Sequence, residues 1–177
     1  STLLNLVAGL VVPDEGQVRV LGTEVPAMGE AEAAVWRRSH LGFIFQQFHL
    51  LPYLTVLENV TLPLALNGQA WKASELRAFL DRLGLAEEAH SYPRHLSGGQ
   101  AQRAAIARAL VHRPRILLAD EITGNLDEEA AAAVMDLLAE AVADYGTTTL
   151  VVTHAPDVAA RAHTRYRIAG HHLIPTE

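Results

Sequence analysis

Leu96-Ser97-Gly98-Gly99-Gln100 leads through a helical stretch, Ala101 to Val111, to Ile116-Leu117-Leu118-Ala119-Asp120-Glu121, and these two segments decide how the chain is read. A serine and two glycines opening a helix present free backbone N–H groups and a hydroxyl at its positive end, which makes an anion site. An ordinary serine cap reads equally well from those residues alone. Two glycines in a first turn nevertheless cost roughly 1 kcal/mol each relative to alanine, a cost for which a simple cap gives no reason. The second segment is a continuous apolar run, the pattern of a strand buried on both faces. It ends on two consecutive carboxylates, which suit a divalent metal and a polarised water. A lone Asp-Glu pair more often just opens a solvated loop. Here order and spacing decide for a site, since Asp120 lies 20 positions after Gln100.

Outward from that core, Thr148-Thr149-Leu150-Val151-Val152 is a second buried strand, and between the two Asp127 caps an alanine-rich helix ending near Gly146. Alternating strands and helices imply a right-handed parallel α/β sheet, whose chemistry gathers at the carboxyl ends of the strands. His154 follows the second strand on the same edge as Glu121, where a phosphate contact is favoured over the usual structural role of a single histidine. Upstream, Leu41-Gly42-Phe43-Ile44-Phe45 is a further strand ending at Gln46-Gln47. A neutral amide there can ligate magnesium or orient water; taken singly, either glutamine reads as a surface amide.

Thr55-Val56-Leu57-Glu58 has the form of a capping box. The helix it starts is expected to break near Pro63 or Asn67-Gly68. A second helix runs from about Ser74 to Leu83, and the helix after Gln100 stops before Pro114. Residues 55–112 thus form an all-helical insertion in an α/β core of residues 1–54 and 113–177. Near the front, Leu3, Leu6, Val7 and Leu10 have helical spacing, and Gln17-Val18-Arg19-Val20-Leu21-Gly22 alternates as a half-exposed strand.

A formal net charge of −6 argues against a general nucleic-acid or anionic-membrane binder. With no cysteine, disulfide frameworks, Cys-ligated zinc and cysteine nucleophiles are excluded, and the cytoplasm is the natural compartment. No apolar run approaches the roughly 18–20 residues that span a bilayer; the longest, Val56 to Leu66, is interrupted by Glu58, Asn59 and Pro63.

In this order the motifs resemble the nucleotide-binding domain of ABC transporters, over nearly the whole chain. Ser1-Thr2 resembles the end of the Walker A loop, Gln46 the Q-loop, Leu96 to Gln100 the signature, Ile116 to Glu121 the Walker B strand, Gly124 to Asp127 the D-loop, and His154 the switch histidine. Phe45 to Thr55 and Thr123-Gly124-Asn125-Leu126-Asp127 resemble the lipoprotein-release, macrolide-export and cell-division branch.

The resemblance implies a P-loop NTPase-type, mostly parallel sheet carrying the helical signature subdomain. It implies ATP and Mg2+ as ligands. Two domains would pair head to tail, with Ser97, Gly98, Gly99 and Gln100 completing the partner's site. It assigns Ser1 and Gln46 to magnesium, Asp120 to the metal through water, Glu121 as general base, and His154 to the γ-phosphate; Thr2 and Asp127 join the nucleotide contacts. A membrane permease subunit would hold the protein at the cytoplasmic face of the cell membrane. Phe48, Leu50, Leu51, Tyr53 and Leu54 either couple to that subunit or pack on the helical insertion.

Three departures are expected to matter. The chain opens inside a helix with no methionine, and no glycine-rich loop or lysine precedes Ser1, so the front of the domain, including the strand leading into that loop, is expected to be missing and these residues alone inactive. Lys72, the sole lysine, lies in the helical insertion and cannot substitute. Ile122 stands where the family usually has proline, and the tail beyond His171 is short. Two rival readings remain at this point: a soluble ABC ATPase of DNA repair or translation, which usually carries a coiled-coil insertion, zinc-binding cysteines or a tandem domain, and an inert remnant.

Overall fold

The computed structural model describes residues 1–124 and 126–176. In chain order it forms α1 (Thr2–Val7), α2 (Glu30–His40), β1 (Leu41–Ile44), α3 (Val56–Leu66), α4 (Ala73–Arg82), α5 (Gly98–Leu110), β2 (Ile116–Asp120), α6 (Glu128–Tyr145), β3 (Thr148–Val152), α7 (Pro156–Ala160), β4 (Arg165–Ala169) and β5 (His172–Thr176). β1, β2 and β3 make a parallel sheet in that order, with Leu41 opposite Ile116 and Ile116 opposite Thr148. The α/β fold with parallel strands follows the expectation from the two apolar runs.

β2 is central, and successive side chains of a strand point to opposite faces. Leu117 and Ala119 enter one cluster with Ile44, Val60, Ile106, Leu110 and Leu138; Ile116 and Leu118 enter another with Leu4, Val25, Trp36 and Leu41. Burying each large apolar side chain contributes about 1.5–3 kcal/mol, so a strand working in both clusters fixes the register of the sheet. Helix α5 presses on β1 at Gly42, where a Cβ would lie 2.2 Å from the Ala109 carbonyl oxygen. Only glycine allows that approach.

Several local expectations change. Residues 17–22 do not form a strand: Leu21 (φ 53°) and Gly22 (φ 81°) reverse the chain, leaving one isolated antiparallel bridge between Val20 and Thr23. Of the two expected ends of α3, the helix passes Pro63 and stops at Asn67. Helix α2 was not foreseen because its N-cap, Gly29, has no side chain to signal a start. The β4–β5 hairpin was also missed, although its turn, Gly170-His171, holds both residues at positive φ, the signature of a primed hairpin turn. Among the described residues, no helix is long and apolar enough to cross a membrane.

Candidate active site at the sheet edge

The carboxyl ends of β1, β2 and β3 bring five of the singled-out residues to one edge. Asp120 is the last residue of β2, and its Oδ2 accepts a 2.6 Å hydrogen bond from the Ser1 hydroxyl. Ser1 is the N-cap residue of α1 but makes no side-chain cap bond, so its hydroxyl is spent on the strand end. Thr2, the first residue of α1, is exposed beside it.

Beyond Asp120 the backbone turns sharply. Glu121 has φ 49°, a left-handed conformation that non-glycine residues adopt at a cost of order 1–3 kcal/mol. It is held there by its own N–H donating to the Val152 carbonyl (2.9 Å) and by its carbonyl accepting from Gly124 (3.1 Å). Ile122, in place of the family's usual proline, is buried in the main core. The turn thereby gains an apolar anchor immediately after the acid. The Oε1 atom of Glu121 is buried and finds no hydrogen-bond partner among the described residues. His154 follows β3 with its side chain 99% exposed, and its Nε2 lies 3.7 Å from that same Oε1. The two side chains thus face each other with His154 in solvent and the Glu121 carboxylate largely buried.

Gln46 reaches the cluster from the end of β1. A Cβ built on Gly124 would lie 3.6 Å from Gln46 Nε2, 3.5 Å from the Glu121 carbonyl and 4.0 Å from the Glu121 Cβ, so the three residues are immediate neighbours. Asn125, within the stretch read as a D-loop, lies outside the described residues. Asp127 is turned toward its own helix, where its Oδ1 accepts from the Ala130 N–H at 2.8 Å and caps α6.

The candidate anion site at the start of α5 is organised differently. Ser97 and Gln100 close a reciprocal capping box: the Gln100 N–H donates to Ser97 Oγ (3.2 Å) and the Ser97 N–H to Gln100 Oε1 (2.8 Å). Gln100 Nε2 in turn donates to Glu88 at 2.5 Å. The Ala101 N–H already bonds the Ser97 carbonyl. The donors this helix start offers outward are therefore the first-turn N–H groups of Gly98 and Gly99. The side chains of Ser97 and Gln100 hold the helix start in shape.

The edge offers a hydroxyl, two carboxylates and an amide, a hard-oxygen donor set that fits magnesium. Among the described residues no cluster of three or more acidic, histidine or cysteine side chains could cage a metal alone. That suits Mg2+, which keeps waters and takes substrate phosphate oxygens as ligands.

Sequence reasoning missed the residues that hold the loop between Gln46 and α3. Asn59, fully buried on α3, accepts from the Leu51 N–H and donates to the carbonyls of Leu51, Leu54 and Thr55 at 3.0–3.1 Å. Arg108 on α5 donates to the carbonyls of Phe48 and His49. An asparagine inside an apolar helix was visible in the sequence as an anomaly; the loop it holds was not.

A family model described as "ABC transporter" matches residues 1–124. The chain is 44% identical over 170 residues to the ABC transporter ATP-binding protein YtrE of Bacillus subtilis (strain 168), covering 95% of this chain and 74% of that protein. It is 42% identical over 176 residues to the lipoprotein-releasing system ATP-binding protein LolD of Treponema pallidum (strain Nichols), covering 98% and 78%. Among solved structures, a dimeric bacterial ABC transporter cassette superposes with a TM-score of 0.80 at 41% identity, over 92% of this chain and 73% of that one. A dimeric post-hydrolysis state of an ATP-binding cassette, bound to ADP and Pi, matches with a TM-score of 0.78 at 42% identity, over 89% and 71%. These matches bear out the expected fold class and the reading as an ABC ATPase of the lipoprotein-release type. The chain belongs to the ABC transporter family.

Proposed function

We propose that this chain is the ATP-binding and ATP-hydrolysing part of a transporter of the lipoprotein-release and macrolide-export type, acting as a dimer of cassettes beneath a separate membrane permease subunit at the cytoplasmic face of the membrane. The observation that carries this reading is the convergence of Ser1, Asp120, Glu121, His154 and Gln46 on one sheet edge. The family's dimeric cassettes support pairing, and the outward N–H groups of Gly98 and Gly99 supply what a second copy would need.

Phosphoryl transfer depends on positioning and charge stabilisation more than on covalent chemistry. Ser1 and Gln46 would hold magnesium, with Asp120 acting on it through water, and the ion would supply charge neutralisation on the phosphates. Glu121 takes the proton of the attacking water at its unpartnered Oε1, and Gln46 orients that water from the neighbouring strand. His154, within reach of the same oxygen, contacts the γ-phosphate. Ser97, Gly98 and Gly99 of the second copy close the site from the other side, with Thr2, Gln100 and Asp127 supporting the two halves. Residues 55–112 form the signature subdomain on a core of residues 1–54 and 113–177. The permease contact falls on the loop after Gln46, where Leu51 and Tyr53 are exposed.

The test uses a version of the chain carrying a strand and a Gly-x-x-x-x-Gly-Lys segment ahead of Ser1. Glu121→Gln in that version keeps ATP binding and lowers turnover by about 10²–10⁴-fold, the usual contribution of a general base. Turnover at the unsubstituted rate would refute the assignment.

A further inference from the structure

We propose that Arg108 is a positioning residue that ties the last turn of the signature helix to the loop following Gln46, so that helix and loop move as one body. The tie itself is a structural claim; only its kinetic consequence rests on the ATP-hydrolysing reading above.

Arg108 lies on α5, the helix that Ser97 caps, and its guanidinium spans two consecutive carbonyls: Nη1 donates to His49 at 2.5 Å and Nη2 to Phe48 at 2.9 Å. Among the described ion pairs it has no carboxylate partner. Burial strips water from the guanidinium and lowers its pKa from the ordinary value, while an arginine still keeps its charge. A desolvated cation is thus spent on two backbone oxygens of a loop 59 and 60 residues away in sequence. Such charge-assisted, two-pronged bonds are about twice as strong as neutral ones and fix orientation as well as distance.

The loop on the receiving end is unusually determined. His49 sits at φ 48° and its ring packs on Phe45, which stacks on Phe43 of β1. Asn59 clamps the following residues from α3. Between this loop and the start of α5 lies a groove of about 420 Å³, with Phe48, His49 and Leu50 on one wall and Leu96, Ser97 and Gly98 on the other. Arg108 holds the loop wall to the last turn of the helix whose first turn forms the other wall. The helix from Ser97 to Arg108 is packed through buried Ala101, Ala104, Ala105 and Ile106, so it transmits displacement as a rigid element. A push on the loop therefore reaches Gly98 and Gly99, and a load on those glycines reaches Gln46.

Amide hydrogen exchange on the intact protein tests the tie without requiring activity. In Arg108→Lys, which keeps the charge but cannot span two carbonyls, exchange of residues 47–51 and of residues 100–104 rises together by roughly tenfold, the equivalent of one charged hydrogen bond, while β2 is unchanged. The reciprocal variant His49→Ala removes the ring that packs on Phe45 without touching α5, loosens the loop and raises exchange at residues 100–104 as well. Acceleration confined to the loop in both variants, or no acceleration at all, overturns the proposal. In the ATP-hydrolysing version, Arg108→Lys lowers kcat about tenfold with KM for ATP within about twofold, and adding His49→Ala causes no further loss if both act through one element. Multiplicative losses overturn the coupling. An unsubstituted protein that hydrolyses no ATP contradicts the proposed function and leaves the exchange result to decide the tie.

Discussion

The edge of the sheet offers oxygen donors suited to a cation and the start of the signature helix offers backbone N–H donors suited to an anion, and the two candidate regions are stabilised in opposite ways. At the edge, Glu121 is strained at φ 49°, its buried Oε1 has no hydrogen-bond partner among the described residues, and His154 stands in solvent. At the helix start, Ser97, Gln100 and Glu88 satisfy one another. The edge is poorly suited to the fold and well suited to a ligand, whereas the helix start is complete as structure and offers outward only backbone donors. Groups that do chemistry must stay under-satisfied until substrate arrives; groups that present a surface need only be held rigid.

If the two regions communicate, the contact between β1 and α5 is where the connection is most easily broken. Gly42→Ala places a methyl group 2.2 Å from the Ala109 carbonyl and lowers stability by about 1–3 kcal/mol, as overpacking does, measured by chemical denaturation. A neutral effect would mean that α5 does not sit on β1 as described. The next two substitutions set the regions against each other. Ser97→Ala removes the cap and costs about 1 kcal/mol, whereas Glu121→Gly relieves the left-handed strain and raises stability by about 1 kcal/mol while abolishing turnover. Equal losses in both variants would erase the contrast.

The smallest effect lies at the far end of the signature helix. His112 Nε2 donates to the Leu41 carbonyl at 2.9 Å, its buried Nδ1 has no partner among the described residues, and burial depresses its pKa below the ordinary 6.5, partly offset by that hydrogen bond. The folded state therefore favours the neutral ring. Its contribution to stability is full above pH 6.5 and is lost as pH falls through that value toward the lower folded pKa. The melting temperature should fall on acidification below pH 6.5, and less steeply in His112→Asn; an unchanged slope would show that another group carries the effect.

The contrast between the two regions also explains what the sequence revealed. Ile116 to Asp120 was legible because a strand buried between layers must be continuously apolar; Thr148 to Val152 was expected to be buried in the same way but is a half-exposed edge strand of the sheet, and Asp120, Glu121, Gln46 and His154 were legible because they stand at strand ends. The Thr55 and Ser97 caps were legible because a capping box is local chemistry. Arg108 and Asn59 were not, since their acceptors are backbone carbonyls without a sequence signature and Arg108 reaches across 59 residues. Residues 17–22 misled because Val18 and Val20 alternate correctly but the chain reverses at Leu21-Gly22, a turn that outweighs a short strand pattern.

The claim that these two regions belong to opposite halves of one shared site is tested most directly by the association state of the ATP-binding version in the presence of ATP. With Glu121→Gln, nucleotide bound between two copies is not hydrolysed and holds them together, so sedimentation should show an ATP-dependent dimer. Adding Ser97→Arg, which sets a bulky cation on the surface the second copy must cover, should return the protein to monomer with nucleotide binding retained. A Glu121→Gln protein that binds ATP and stays monomeric, or a dimer indifferent to Ser97→Arg, would contradict the account.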